Sequence, residues 1–441
     1  MKRIVPFLVI LCFYYCQWID INLAIGLTQI VLLIKLLLSS SKELSFMLLL
    51  SNLAVLQWLV GPAVYYSDFN PGQVIEITIM QVSSETYFNY AWPATIFFVI
   101  GLNYSNISSQ INLGKMYENL NPTTFKYFIV VGIVSGLILP LLPLAFKFIF
   151  VVLMYFSFAG IFGLIVGKNK SRSDFAWLMG SMVFIIFNSF KHAMFGELVF
   201  FLILTTLVYF HFNQTKLGTK IILFTSLVLL AAFIQLVKMP LRSLNRKNDT
   251  STYTNFSKVV SSDALSIKNF ESDGFMAYTI ARFNNGAVVS YVLDRVPDKI
   301  DYVNGNTILS AIIGSFVPRL LWPNKETSGS EMYLKYTGLK FGGSSYGISQ
   351  LGEGYANFGR NGGVVYMFLL GLVMSFILNS ILKYSIKHPR YLLFLPVLFL
   401  HGIKVETELN RSLGFMLRVI VVLFLINLLL KFFSNSKYSL Y

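Results

Sequence analysis

Apolar runs of about 15 to 23 residues recur along the chain, near 4–18, 22–38, 44–66, 89–102, 125–143, 147–167, 174–190, 195–212, 220–239, 362–382, 391–405 and 413–430. An α-helix of about that length crosses a hydrocarbon layer of roughly 30 Å, and in lipid a backbone has to satisfy its own N–H and C=O groups. The repetition predicts an all-α polytopic membrane protein with about 12 transmembrane helices, within a range of 11–13. The runs at 4–18, 89–102 and 391–405 are short, which predicts tilted, broken or shielded helices there. Composition agrees: 55% of residues are hydrophobic and only 12% charged, a balance that a water-exposed surface does not tolerate. Because a membrane bundle is one unit, residues 1–441 are expected to form a single integral membrane domain.

The net charge of +15 is spread between the apolar runs rather than gathered on one segment, which argues against nucleic acid as a partner. Topology accounts for it better. With the N-terminus inside, Lys2, Arg3, Lys35, Lys115, Lys168, Lys170, Arg172, Lys383 and Arg390 share the cytoplasmic side, while short loops on the other side carry Asp20, Asp68, Glu76, Glu85 and Glu197. This positive-inside pattern places both termini in the cytoplasm. Met1-Lys2-Arg3 and the following apolar stretch resemble a signal sequence without its small-residue cleavage pattern, and read as a retained first helix. Cys12 and Cys16 lie one turn apart in that run and are expected to pack in the core rather than bind metal.

Residues 241–360 hold 13 basic and 10 acidic side chains and face outward by the same count. A structureless loop that long is uncommon, so the segment is expected to be partly helical and to fold onto the bundle as a cap. Within it Ile308, Leu309, Ile312, Ile313, Phe316 and Val317 repeat at helical spacing before Pro318, which predicts a helix in the membrane interface with Trp322 at headgroup level.

Nucleotide and metal signatures are missing: there is no phosphate-binding loop, no His-Glu-x-x-His and no paired cysteine ligands, so no cofactor and no metal is expected. The four histidines are scattered and read as packing residues. Two outward segments instead place charge where lipid makes charge costly: Phe316-Val317-Pro318-Arg319-Leu320-Leu321-Trp322-Pro323-Asn324-Lys325, and Gly352-Glu353-Gly354-Tyr355-Ala356-Asn357-Phe358-Gly359-Arg360. Arg319 and Arg360 either grip a phosphate with their planar forks or simply reach headgroups as snorkelling cations. Glu353, between two glycines, is either a general base or a carboxylate that faces a helix N-terminus. Glu406, Glu408 and Arg411 share the turn before the last run. Arg418 lies about two turns into it, where an unpaired charge costs roughly 2.5–3.5 kcal/mol, so it is expected to pair, for instance with Glu406, or to line a site. With Arg282, Lys325 and Glu331 these groups outline an outward cavity for an anion at membrane depth, which a lipid pyrophosphate fits.

The Val-Pro-Arg-Leu-Leu-Trp-Pro-Asn-Lys run followed about 30 residues later by Gly-Glu-Gly-Tyr-Ala-Asn-Phe-Gly resembles the O-antigen polymerase (Wzy) family, the oligosaccharide repeat unit polymerases. The resemblance is architectural throughout and specific over about 280–420. It implies a GT-C-like glycosyltransferase of the bacterial inner membrane that polymerises undecaprenyl-pyrophosphate-linked repeat units into O-antigen or a related surface polysaccharide at the periplasmic face. It implies no nucleotide sugar and no metal. Its partners would be membrane lipid, lipid-linked donor and acceptor, a chain-length regulator and a flippase. Arg319, Arg360, Arg411, Arg282 and Arg418 would hold the pyrophosphates, Glu353, Glu406 or Glu408 would be the base, and the loop, with Trp322, Lys325, Tyr355 and Asn357, would contact sugar or pyrophosphate. The chain departs from the family where many relatives carry an Arg before the eighth span: Lys191-His192 stands there, without the bidentate fork.

Two other readings are a lipid-linked oligosaccharide flippase and an O-antigen ligase. A transporter would bury charge along several central spans, whereas 44–66, 125–143 and 220–237 are almost free of it. A ligase differs in its acceptor.

Overall fold

The computed structural model describes residues 3–39, 45–67, 79–105, 120, 122–167, 171–191, 195–213, 215–247, 252–261, 283–317, 322, 329–339 and 347–438. Among them there is helix and no strand. In chain order the helices are α1 (Val5–Tyr15), α2 (Ile21–Leu38), α3 (Phe46–Tyr66, with a π-turn at Leu56–Val60), α4 (Ser84–Asn103), α5 (Pro122–Ile138), α6 (Leu144–Met154), α7 (Phe156–Val166), α8 (Arg172–Lys191) and α9 (Gly196–Asn213). They continue with α10 (Leu217–Lys247), α11 (Thr252–Ser261), α12 (Gly286–Arg295), α13 (Asn306–Phe316), α14 (Ser330–Thr337), α15 (Ser349–Lys387), α16 (Leu395–Gly402) and α17 (Leu409–Tyr438).

The apolar runs of the sequence fall on helical backbone, and among the described residues seven stretches are long and apolar enough to cross a membrane: Ile21–Leu38, Phe46–Tyr66, Pro122–Leu141, Lys147–Val166, Leu217–Ile234, part of Ser349–Lys387, and Leu409–Leu428. The chain is a helical membrane protein. The other runs give shorter or more polar helices for visible reasons. Helix α1 has 11 residues, opening at Pro6 and closing at the turn where Gln17 takes φ 60°. Helix α4 carries Asn89, Pro93 and Asn103, and α8 opens on Arg172 and Asp174. Cys12 and Cys16 are exposed on α1, not packed in the core, because the buried face of that helix is formed by Phe7 and Ile10.

Helices α4 and α15 pack against each other over their whole shared length, and two glycines set their distance. A Cβ on Gly101 would come within 3.1 Å of the Gly371 Cα, and one on Gly371 within 2.9 Å of the Leu102 amide nitrogen. Small residues at a crossing let backbones approach where apolar burial alone gives no preference over lipid. Polar side chains add direction: Asn103 Nδ2 donates to Ser51 Oγ at 3.0 Å, joining α4 to α3, and Gln29 Nε2 donates to Asn52 Oδ1 at 3.1 Å, joining α2 to α3. At the C-terminal end of α2, Lys220 donates to the Leu37 and Ser39 carbonyls at 3.1 and 2.7 Å, a cation where the helix leaves acceptors unpaired.

The segment expected to begin at 241 as loop starts later, since α10 runs on to Lys247. Beyond it, α12, α14 and the start of α15 share a small core of Val288, Val292, Val296, Met332, Tyr333, Tyr336, Ile348 and Ala356. Helix α13 is the helix that the 308–317 spacing predicts, and it ends before Pro318. Its Thr307, Ala311 and Ser315 are buried on the side packed against α17, while Leu309, Ile312, Ile313 and Phe316 are exposed on the other.

Candidate functional site

The Gly352-Glu353-Gly354 segment is helical, not a tight loop. Ser349, buried and at φ 62°, starts α15, and its Oγ accepts from the Gly352 N–H at 3.2 Å. Gly354 is there for room: a Cβ would meet the Tyr366 ring at 2.7 Å. Five residues on, Gly359 at φ 65° breaks the helix against Tyr302, a conformation that favours glycine. The motif is therefore a short helix of its own, set at an angle to the apolar remainder of α15.

Glu353 is 1% exposed, and its Oε2 accepts from the Leu409 backbone N–H at 2.7 Å. It caps the first turn of α17, where helix N–H groups lack partners of their own and the dipole favours an anion. The carboxylate does face a helix N-terminus, but that of the last helix rather than of its own. The turn 403–408 lies against the residues that precede α15: a Cβ on Gly347 would run into the Glu408 carboxylate and come 3.3 Å from the Glu406 carbonyl. Glu408, 1% exposed, pairs with Arg411 at 3.1 Å, and the Arg411 guanidinium in turn fills the space beside Gly329, ahead of α14. Glu353, Glu406, Glu408 and Arg411 thus meet where α14, α15, α16 and α17 converge. Glu406 differs from Glu353, whose carboxylate receives the Leu409 N–H. The Glu406 Oε2 is buried and has no hydrogen-bond partner among the described residues. Leaving a buried acceptor unmatched costs free energy, and such groups concentrate where a ligand or proton completes them.

Arg418 does not pair with Glu406. Its Nε and Nη2 donate to the carbonyls of Gly414 and Asn410 at 2.9 and 3.1 Å, so the side chain runs up its own helix toward the charged turn. Side chains on a helix lean toward its N-terminus, which makes this reach natural. Asn357 is spent on structure: its Oδ1 accepts from the Gly305 N–H at 2.9 Å, and its Nδ2 donates to Thr307 Oγ1 at 2.7 Å, which ties α13 to the motif helix. Tyr355 packs edge-on against Tyr90. Arg360 is exposed and donates to the Asn89 carbonyl at 3.1 Å, on the α4 side. Trp322 is half-buried and Glu331 is exposed. Lys191 closes α8, while Arg282, Arg319, Lys325 and His192 lie outside the described residues.

One cluster escaped the sequence reading. His401, in the last turn of α16, has its Nδ1 3.4 Å from Lys404 Nζ and its Nε2 3.3 Å from the Tyr155 hydroxyl. Glu197, at the start of α9, lies 3.8 Å from the same Nε2. Lys404 sits in the turn beyond α16. Burial pushes its ammonium below the usual lysine value, while Glu197 and Glu406 pull it back. The signal available in sequence was the i, i+3 spacing of His401 and Lys404 at a helix end beside three further charges.

These features define a class: a helical membrane protein whose helix ends gather carboxylates and cations around one half-open turn. A family model described as a domain of unknown function, DUF8712, matches residues 80–387, and the chain belongs to that family. The matched region runs from α4 to the end of α15 and takes in Glu197 and Glu353, stopping short of the 403–408 turn. No curated protein and no solved structure matches the chain.

Proposed function

We propose that the chain polymerises lipid-linked oligosaccharide repeat units at the outward, periplasmic face of a bacterial inner membrane, as a GT-C-like bundle of about 12 spans. The observation that supports this most is Glu406: a carboxylate oxygen withheld from water and from hydrogen-bond donors, next to a turn that also carries Arg411 and is reached by Arg418. Glu353 and Glu408 have committed partners, so Glu406 is the base in this reading. It takes the proton of an acceptor sugar hydroxyl as that oxygen attacks the anomeric carbon of the donor glycan. The bond from that carbon to the pyrophosphate oxygen breaks, and undecaprenyl pyrophosphate leaves with the electron pair. Arg411 and Arg418 stand where its charge develops. Arg282, Arg319 and Lys325 remain candidates for the second pyrophosphate, and a chain-length regulator and a flippase remain expected partners.

The test is the surface glycan of a deletion strain complemented with wild type or Glu406→Gln, resolved by polymer length at matched protein levels. A single repeat unit in the deletion and in Glu406→Gln, with a ladder restored by wild type, is the expected result. A deletion that displays no unit at all points to a flippase or ligase, and an intact ladder ends the polymerase reading.

A further inference from the structure

Proline at position 93 removes the N–H that would bond the carbonyl four residues back, so within α4 the Asn89 carbonyl lacks its helical donor. Arg360 Nε supplies one at 3.1 Å. Helix α4 and the motif helix are locked together at this level. The Tyr90 hydroxyl donates to the Leu351 carbonyl at 2.7 Å, and the rings of Tyr90, Tyr355 and Tyr302 pack edge-on in that order, with centroids 5.0 and 6.4 Å apart. Tyr302 also closes on Gly359, immediately before the arginine: a Cβ there would lie 3.0 Å from its hydroxyl. Arg360 is thereby aimed at one carbonyl, whereas a snorkelling cation keeps its freedom at the helix end. With Nε occupied, the donors on Nη1 and Nη2 form the remaining edge of a planar fork. Among the described residues no carboxylate pairs with that edge, and the side chain is exposed.

The apolar part of α15 begins directly beyond Arg360, at Gly362-Gly363-Val364-Val365, which sets the guanidinium at the rim of the hydrocarbon layer. One turn along α4 from Asn89, Trp92 packs against Tyr14 at 5.6 Å, near the end of α1, where Tyr15 and Trp18 are exposed. Tyrosine and tryptophan at helix ends mark headgroup level. The turn that carries Glu406 is met instead from Gly347 and Glu353, earlier in the chain, so Arg360 is not committed to it. We propose that Arg360 binds the phosphodiester headgroup of a membrane lipid across Nη1 and Nη2. Pro93 is its positioning residue, because the carbonyl that Pro93 frees holds Nε and leaves the fork open to the phosphate oxygens. This site does not rest on the polymerase reading.

The test is ¹⁵N–³¹P dipolar dephasing in solid-state spectra of the full-length protein with ¹⁵N-labelled arginine. In phosphatidylglycerol vesicles and phosphate-free buffer, the Nη signals that disappear in Arg360→Gln are expected to dephase strongly in the wild type, and the Nε signal weakly. Glutamine can still donate to the Asn89 carbonyl, so this variant keeps the link to α4 and removes only the fork. Pro93→Ala returns an N–H to that carbonyl and is expected to lose most of the Nη dephasing at an unchanged elution volume on size exclusion. Dephasing of Arg360 Nε by asparagine labelled with ¹³C at its backbone carbonyl reads the Asn89 contact in the wild type, without a variant. In vesicles of digalactosyldiacylglycerol, a lipid without phosphorus, added inorganic pyrophosphate is expected to produce no Nη dephasing. No Nη dephasing in phosphatidylglycerol overturns the site. Full dephasing in Pro93→Ala, or no carbonyl contact at Nε, overturns the role of the proline, and dephasing by inorganic pyrophosphate as strong as by phosphatidylglycerol overturns the lipid as the source of the phosphate.

Discussion

Glu353 and Glu406 sit within one turn's reach of the same backbone and do opposite things. Glu353 is a cap, and glutamine can still accept from the Leu409 N–H through its amide oxygen, so Glu353→Gln is expected to fold and to support polymerisation. Glu353→Ala strips the cap and should lower stability by about 1 kcal/mol, the usual scale of an N-cap, read as thermal unfolding in detergent. The same comparison at Glu406 should run the other way, with Glu406→Gln folded but inactive. Arg411 is a different case. Removing it leaves the Glu408 charge buried without its guanidinium, which costs roughly 3–5 kcal/mol at a buried pair. Arg411→Ala is therefore expected to unfold at markedly lower temperature, and Glu408→Gln in that background should recover most of the loss.

At the scale of elements, the α4–α15 crossing depends on Gly101 and Gly371, where an added side chain meets backbone that cannot yield. Gly371→Leu is expected to abolish the folded protein on fluorescence-detected size exclusion. Gly180 and Gly218 meet nothing within 4 Å at their Cβ positions. Alanine at either, in a helix, should be neutral or slightly stabilising, since alanine is favoured over glycine by roughly 1 kcal/mol there. The helices themselves were legible because lipid dictates a length, and α13 because an interface dictates a period. The cap on α17 was not. Leu409 lies 56 residues beyond Glu353, and a carboxylate that receives a backbone N–H from another helix leaves no period in the sequence. Neither was the reason for Gly354, which is the Tyr366 ring opposite it.

For the whole molecule, the orientation proposed from the distribution of lysines and acids is one that labelling can read. In a Cys12→Ser, Cys16→Ser background, which should be tolerated because both thiols are exposed, Glu331→Cys is expected, on the proposed orientation, to react with a membrane-impermeant maleimide in intact cells. Lys383→Cys should react only after permeabilisation, and the reverse pattern would invert the topology. His401 shows why the site was read less completely than the bundle. A lone histidine is discounted on its own, and only the convergence of α7, α9 and α16 brings Tyr155 and Glu197 to it. The 56-residue span between Glu353 and Leu409 also imposes an order on biosynthesis. As the ribosome delivers the chain, the motif helix is made before the Leu409 amide that its Glu353 carboxylate receives, so this contact cannot form until α17 follows. Helix α17 thus acts as a closing latch, so that a nascent chain arrested before it exposes an unfinished and protease-sensitive motif helix.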